Sequence, residues 1–129
     1  MAKVQKKQKP RKLSVWLGNR RHDPKVDLLR DLCGVAHYDV DFQEVNLDDE
    51  RWREQPVKKL LAPLSYSESF IDNVVAAAKE KGFAKALYVI VQYDFSHDPI
   101  KVRRKVAPDP VFIGVFDYDD LGEGSDLEW

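Results

Sequence analysis

Ala86-Leu-Tyr-Val-Ile-Val91 is the stretch of this sequence that decides its fold. The six residues are continuously apolar and rich in β-branched side chains, which is typical of a strand that is covered on both faces. Residues 92–95 extend the segment, and a turn at Ser96-His-Asp-Pro99 ends it. The sequence therefore predicts a central strand of a sheet over residues 86–91.

Three further strands are predicted around this one. Residues 13–17 and 111–116 alternate between two faces, and residues 38–45 alternate between apolar side chains and an acidic row. Alternation with a period of two indicates a strand whose faces lie in different surroundings. The link between the last two strands is too long for a tight hairpin and has no helical pattern, so we expect those strands to be antiparallel.

Two short helices are predicted from their first residues. Asp23-Pro24 has the composition of a helix start, and the apolar spacing behind it predicts a helix over residues 24–33 with Gly34 at its end. Pro56 opens a second helix, which Pro63 ends.

A third helix has the clearest local signal. Ser65-Tyr-Ser-Glu68 has the spacing of a capping box, and the apolar pattern behind it predicts a helix over residues 66–81 that ends at Gly82. The order of elements predicts an α+β domain. We expect a mainly antiparallel four-stranded sheet with two to three helices packed on one face.

The two ends of the chain carry opposite charges. The chain has 129 residues and a formal net charge of -1, yet residues 1–12 hold six Lys/Arg and no acid, and residues 117–129 hold six Asp/Glu and no base. Charge runs of this kind are typical of solvated tails. We therefore expect a basic disordered tail at 1–12, a single domain at 13–119 and an acidic tail at 120–129.

The composition excludes several classes of protein. No apolar run approaches the ~20 residues of a membrane span, and residues 1–12 lack the apolar core of a secretory signal. The single cysteine, Cys33, excludes an internal disulfide and a Cys-rich zinc site, and we expect it to be a small buried hydrophobe. We expect a cytoplasmic protein without a membrane partner.

The histidines are the strongest hint of an enzyme. His22-Asp-Pro24 and His97-Asp-Pro99 would supply ligands to a metal-dependent hydrolase if both histidines met in one pocket. Asp-Pro also marks turns for backbone reasons alone, and it recurs at Asp109-Pro110 without a histidine. The sequence contains no Gly-rich phosphate loop and no nucleophile elbow. We therefore expect no catalytic residue, no cofactor and no metal.

Four segments together carry a family resemblance: Val15-Trp-Leu-Gly-Asn19, Tyr38-Asp-Val-Asp-Phe-Gln-Glu44, Leu64-Ser-Tyr-Ser-Glu-Ser-Phe-Ile71 and Phe112-Ile-Gly-Val-Phe-Asp-Tyr118. Over about residues 13–119 the chain resembles the immunity protein 22 family (DUF4284). Members of that family are expected to be antidotes that are encoded beside secreted bacterial polymorphic toxins. The resemblance implies a protein without catalysis that binds and neutralises a cognate toxin domain in the bacterial cytoplasm.

Carboxylates are the candidates for binding such a toxin. If the toxin is a nuclease, its substrate cleft is basic, and an antidote would present carboxylates in place of phosphates. Each candidate also has a structural explanation: a helix cap for Glu68, core packing for Trp16, and a solvated face for the other acids. The candidate residues are Trp16, Asp39, Asp41, Glu44, Glu68 and Asp72.

A basic tail leaves one further alternative open. Residues 1–12 would let a small nucleic-acid-associated protein neutralise phosphates. Binding by a tail alone is weak, and its affinity falls as the salt concentration rises. Nucleic acid is therefore a weaker interpretation of the partner than a toxin. The metal-dependent hydrolase is the weakest of the three interpretations. The sequence leaves the choice between monomer and dimer open.

Overall fold

The computed structural model describes residues 11–47, 51, 53–103 and 105–119. A four-stranded sheet in the order β2-β5-β1-β6 has only antiparallel neighbours, and a small second sheet pairs β3 with β4. This confirms the predicted α+β class. The strands are β1 (Arg11–Gly18), β2 (Gln43–Asn46), β3 (Gln55–Pro56), β4 (Lys85–Ala86), β5 (Tyr88–Tyr93) and β6 (Val111–Tyr118), and the helices are α1 (Val57–Leu61) and α2 (Ile71–Glu80).

The sheet is built around β1. This strand pairs with β5 in a register that sets Leu13 against Tyr93, and with β6 in a register that sets Arg11 against Tyr118. β5 lies between β1 and β2, which confirms the predicted inner strand from Tyr88 onward, whereas Ala86 belongs to β4. The expectation that the last two strands are antiparallel is wrong. β5 and β6 flank β1 on opposite sides and run in the same direction, because the long link between them crosses over β1.

The two α-helices cover one face of the sheet, as predicted. β1 directs Leu13, Val15 and Leu17 toward them, since alternate residues of a strand point to the same face. These side chains are fully buried and join a core that includes Leu60 of α1 and Val74 of α2. No helix in the described part of the chain has the length and apolar composition that a membrane crossing requires.

Irregular segments cover the opposite face. β1 and β5 direct Trp16 and Ile90 into a second core, which Leu29, Cys33 and Val35 complete. Burial raises the pKa of the Cys33 thiol to about 12, so the thiol stays protonated at neutral pH. Cys33 is therefore the small buried hydrophobe that its position predicts.

The helix predicted over residues 24–33 is reduced to one π-helical turn, Leu28–Leu32. Asp23 forms an Asx turn instead of a helix start, because its carboxylate accepts the Lys25 N–H at 2.9 Å. The turn is capped by Asp27, whose carboxylate accepts a backbone N–H three residues further on at 3.0 Å. The Asp-Pro signal was thus correct as a turn and wrong as a helix start.

Both helical segments end at the predicted glycines. Gly34 has a φ of +77° and Gly82 a φ of +90°. Glycine adopts this left-handed conformation without the steric cost that a Cβ brings. After Gly82, the Phe83 N–H donates to the Ala78 carbonyl at 2.8 Å and completes the end of α2.

The strand predicted over residues 38–45 is wrong for its first half. Val40–Phe42 forms a 3-10 turn, and only β2 is extended. Asp39 causes the difference, because its carboxylate accepts the Asp41 N–H at 3.0 Å and so stabilises a turn. The alternation of apolar and acidic residues continues through this turn, so the sequence pattern did not predict it.

The capping box predicted at Ser65 and Glu68 does not form. The Ser65 hydroxyl donates to the Glu44 carboxylate at 2.6 Å instead. Tyr66 has a φ of +60°, which interrupts the helical path. The helix predicted over residues 66–81 therefore begins five residues late, at the start of α2.

The sheet extends into the predicted basic tail. Arg11 and Lys12 belong to β1, and the Lys12 ammonium lies 2.6 Å from the carboxylate of Asp117 across the β1–β6 pair. β1 therefore includes Arg11 and Lys12, the last two residues of the predicted tail. The remainder of the predicted tails, 1–10 and 120–129, lies outside the described residues.

Replacing Trp16 with Ala should destabilise the protein by about 3–5 kcal/mol, because the indole is 1% exposed in the second core. The free energy of unfolding in urea measures this loss. Val115→Ala is the control, since Val115 lies 37% exposed on the edge strand β6 and should lose less than about 1 kcal/mol. Equal losses in the two variants would contradict the burial of Trp16.

Candidate functional site

A cleft of about 190 Å³ opens beside the start of β2, and we call it the acidic cleft. It forms where β2 and the loop before α2 meet the ends of β1, β5 and β6. Three carboxylates and three tyrosines lie in its lining, which no single segment of the sequence contains. The lining residues are Arg11, Asp41, Phe42, Glu44, Ser65, Tyr66, Tyr93, Asp94 and Tyr118.

Hydrogen bonds connect the Glu44 carboxylate to neighbouring residues of the acidic cleft. Its carboxylate accepts the Ser65 backbone N–H at 2.9 Å and the Ser65 hydroxyl at 2.6 Å. The Tyr93 hydroxyl lies 2.9 Å from the same carboxylate and 2.7 Å from the Ser65 carbonyl oxygen. Glu44 therefore fixes the loop before α2 to β2, and its oxygens are occupied.

A tyrosine cluster forms one wall of the acidic cleft. Tyr66 stacks on Tyr118 with ring centroids 5.7 Å apart, and Tyr93 meets Tyr118 edge-on at 5.2 Å. Burial raises the pKa of Tyr93, and its hydrogen bond to Glu44 adds to the shift. Tyr93 is therefore a neutral hydrogen-bond donor at physiological pH. Rigid aromatic walls of this kind are frequent in protein interfaces.

An ion pair holds the opposite wall. The Arg11 guanidinium donates through Nε to Asp94 at 2.9 Å and through a terminal nitrogen to the second carboxylate oxygen. The Tyr118 hydroxyl also donates to Asp94, at 2.7 Å. Arg11 holds the pKa of Asp94 below its usual value, with a further contribution from Tyr118. Asp94 is therefore ionised at neutral pH and joins the start of β1 to the end of β5.

The 3-10 turn forms the outer rim of the acidic cleft, and we call residues 39–42 the acidic turn. The Asp39 carboxylate is used inside the turn, whereas no side chain in the described part of the structure pairs with the carboxylate of Asp41. Val40 is 65% exposed and Phe42 is 46% exposed. The rim thus offers an acid between two exposed apolar side chains.

The six sequence candidates separate into three groups. Asp41 and Glu44 line the acidic cleft, and Asp39 caps the turn that carries Asp41, so these two aspartates do not lie on a strand. Glu68 and Asp72 are exposed and do not line this cleft. Trp16 is buried in the second core against Phe112 and His97, so it does not present an anchor at the surface.

Sequence reasoning missed Arg11 and Asp94. Arg11 was assigned to the tail by the charge run, although it pairs with β6. Asp94 follows directly on the predicted central strand, and an acid at the end of a buried strand was the available signal. No sequence signal predicted that Tyr66 would join this cleft, because its left-handed backbone conformation brings it there.

A second cleft, of about 330 Å³, lies on the other side of β2, and we call it the histidine cleft. His22 and Tyr88 line it, and both reach Asp109: His22 Nε2 lies 2.8 Å and the Tyr88 hydroxyl 3.1 Å from its carboxylate. Asp109 is 5% exposed and also accepts the Asn19 N–H at 2.5 Å. This network satisfies a buried carboxylate.

His22 and His97 line different clefts in the described part of the chain. His97 lines the cavities beside Cys33 and Val35, whereas His22 lines the histidine cleft. Burial in the aromatic core lowers the pKa of His97. The described residues include no group of three or more His, Cys, Asp or Glu side chains placed to hold a metal ion. The convergence that the hydrolase interpretation requires is therefore not found.

The contribution of the Asp94 ion pair should depend on pH. The folded-state pKa of Asp94 lies below 3.8, the ordinary value for an aspartate, so its stabilising effect is present above that pH and is lost as the pH falls below it. The difference in unfolding free energy between wild type and Asp94→Asn should be constant near neutral pH and shrink below about pH 4. Asp72→Asn, at an exposed position, is the control. A difference that does not change with pH would contradict the ion pair.

Comparison with known proteins identifies the family. No curated protein and no solved structure matches the chain. Residues 25–119 match the family described as immunity protein 22. The match spans α1, α2, the acidic turn and every strand except β1. It therefore covers most of the described chain. The chain therefore belongs to the immunity protein 22 family.

Proposed function

We propose that this protein neutralises a cognate bacterial toxin domain by binding to it, without catalysis, in the cytoplasm of the cell that makes both. Membership of an immunity protein family supports an antidote role. The distribution of charge supports a basic partner. Residues 31–50 contain seven Asp/Glu and no Lys or Arg.

The observation that carries this proposal is the acidic turn. It places Asp41, which pairs with no side chain of the described residues, between the exposed side chains of Val40 and Phe42. Interfaces of high affinity commonly combine exposed apolar anchors with charges that select the partner. An isolated exposed apolar side chain needs no explanation, but two beside an acid in one turn form a small patch of mixed character.

The mechanism we propose is occupancy of a basic surface on the toxin. A nuclease binds phosphates with Lys and Arg, so carboxylates held at the rim of a rigid cleft would take the positions of phosphates. Asp41 and Phe42 would contact the toxin directly. Glu44 and Asp94 would position this surface, because their oxygens already hold the loop before α2 and the end of β5. Glu68 and Asp72 would extend the negative field at the periphery.

The variants Asp41→Lys and Phe42→Ala should each weaken binding of the toxin domain encoded by the adjacent gene. We expect at least a tenfold rise in Kd for Asp41→Lys, because the charge reversal sets like charges against each other. For Phe42→Ala we expect a similar loss through the removed apolar contact. Isothermal titration calorimetry measures both, and survival of cells that co-express the toxin domain provides the functional readout.

The matched control is Glu80→Lys, which makes the same charge reversal at the exposed end of α2. Its Kd should stay within about threefold of the wild-type value, as expected for a charge outside the contact. If the wild-type protein neither binds the toxin domain nor protects the cells, the proposed function fails for that pair. If Glu80→Lys weakens binding as much as Asp41→Lys, overall charge decides the affinity and the acidic turn is not the contact.

A further inference from the structure

β2 is an edge strand with one open side. It pairs with β5 through residues 43–46, and no other strand in the described part of the chain pairs with it. Edge strands present unpaired N–H and C=O groups, which template pairing with another chain. β6 is the opposite edge, but its only acid, Asp117, is paired with Lys12. The two edges therefore differ in charge.

The ladder indicates which backbone groups of β2 are open. In an antiparallel pair, alternate residues bond to the neighbouring strand and the others point away from it. Gln43 donates its N–H to the Val40 carbonyl and not to its partner Gln92. Gln43 therefore belongs to the outward set, and the alternation places Val45 in the same set.

The side chains of β2 divide between the two clefts. Glu44 and Asn46 point to the helix face, where they contact Ser65 and the Leu60 carbonyl. Val45 points to the other face, is 47% exposed and lines the histidine cleft. A chain added along β2 would thus direct alternate side chains toward the acidic cleft and toward the histidine cleft.

The histidine cleft is suited to an apolar side chain. Its walls include Val26, Leu28 and Leu47 beside Val45. Two polar side chains of its lining, His22 and Tyr88, already have a hydrogen-bond partner, because both contact Asp109. An apolar occupant would therefore leave no buried polar group of this network without a partner.

We infer that the toxin domain binds by adding an extended strand to the open edge of β2. The strand alternates between basic side chains, which face the acidic cleft and acidic turn, and apolar side chains, one of which enters the histidine cleft. A second copy of this chain is a poorer occupant, since it would set one acidic edge against another. The inference rests on the proposed function and specifies the chemistry of the partner segment.

The variant Val45→Pro tests the main-chain contact. Proline removes the N–H that points outward and is tolerated in edge strands at such a position, so the melting temperature should change little. We expect the Kd for the toxin domain encoded by the adjacent gene to rise at least tenfold. Val45→Thr is the matched control: it keeps the N–H and the β-branched shape, and its Kd should rise less than threefold. Amide hydrogen exchange should show protection of the Val45 N–H in the complex and no change at Val115.

Each outcome separates this inference from the proposed function. Loss of affinity in Val45→Pro together with protection of the Val45 amide supports strand addition. If Val45→Pro binds like wild type while Asp41→Lys does not, the acidic turn is used without strand addition, and the inference is overturned while the proposed function stands. If Val45→Pro does not fold, the exchange experiment on the wild-type complex decides alone: an unprotected Val45 amide overturns the inference. Absence of wild-type binding overturns both.

Discussion

β1 is paired on both sides and buried on both faces, and the remainder of the structure depends on this constraint. Residues 13–18 are all buried. Their alternation supplies Leu13, Val15 and Leu17 to one core and Trp16 to the other. The two ends of the strand also reach the two clefts. Arg11 holds Asp94 at the acidic cleft, and the N–H of Asn19, just beyond the strand, holds Asp109 behind the histidine cleft.

Sequence patterns that arise from burial alone, or from the conformation of one glycine, were predictable. The alternation at residues 13–17 and the apolar run at 86–91 arise from burial of strands. The first is confirmed, and the second is confirmed from Tyr88 onward. Gly82 ends α2 because its conformation disfavours other residues. The wrong predictions occurred where a side chain competed for the backbone or for a distant partner. Asp39 stabilised a turn inside an apparent strand, and Ser65 bonded to β2 instead of capping a helix.

The candidate site was only half predictable. Asp41 and Glu44 were predicted as site residues because both are acids of the segment 38–45. Their different roles follow from contacts across the fold. Glu44 is occupied by Ser65 and Tyr93, which lie 21 and 49 residues away along the chain. Asp94 entered the site because β5 ends beside the start of β1. Topology, and not local pattern, therefore decides which acids are available to a partner.

The central place of β1 has a consequence for how the protein is made. The first strand in the described part of the chain pairs with β5 and β6, which are the last two strands described there. Both cores include side chains of β6, so neither is complete until β1 has paired with that strand. Contacts so distant along the chain are typical of slow folding. A chain that is cut before β6 therefore lacks one of the two neighbours of β1, together with the side chains that β6 supplies to the cores.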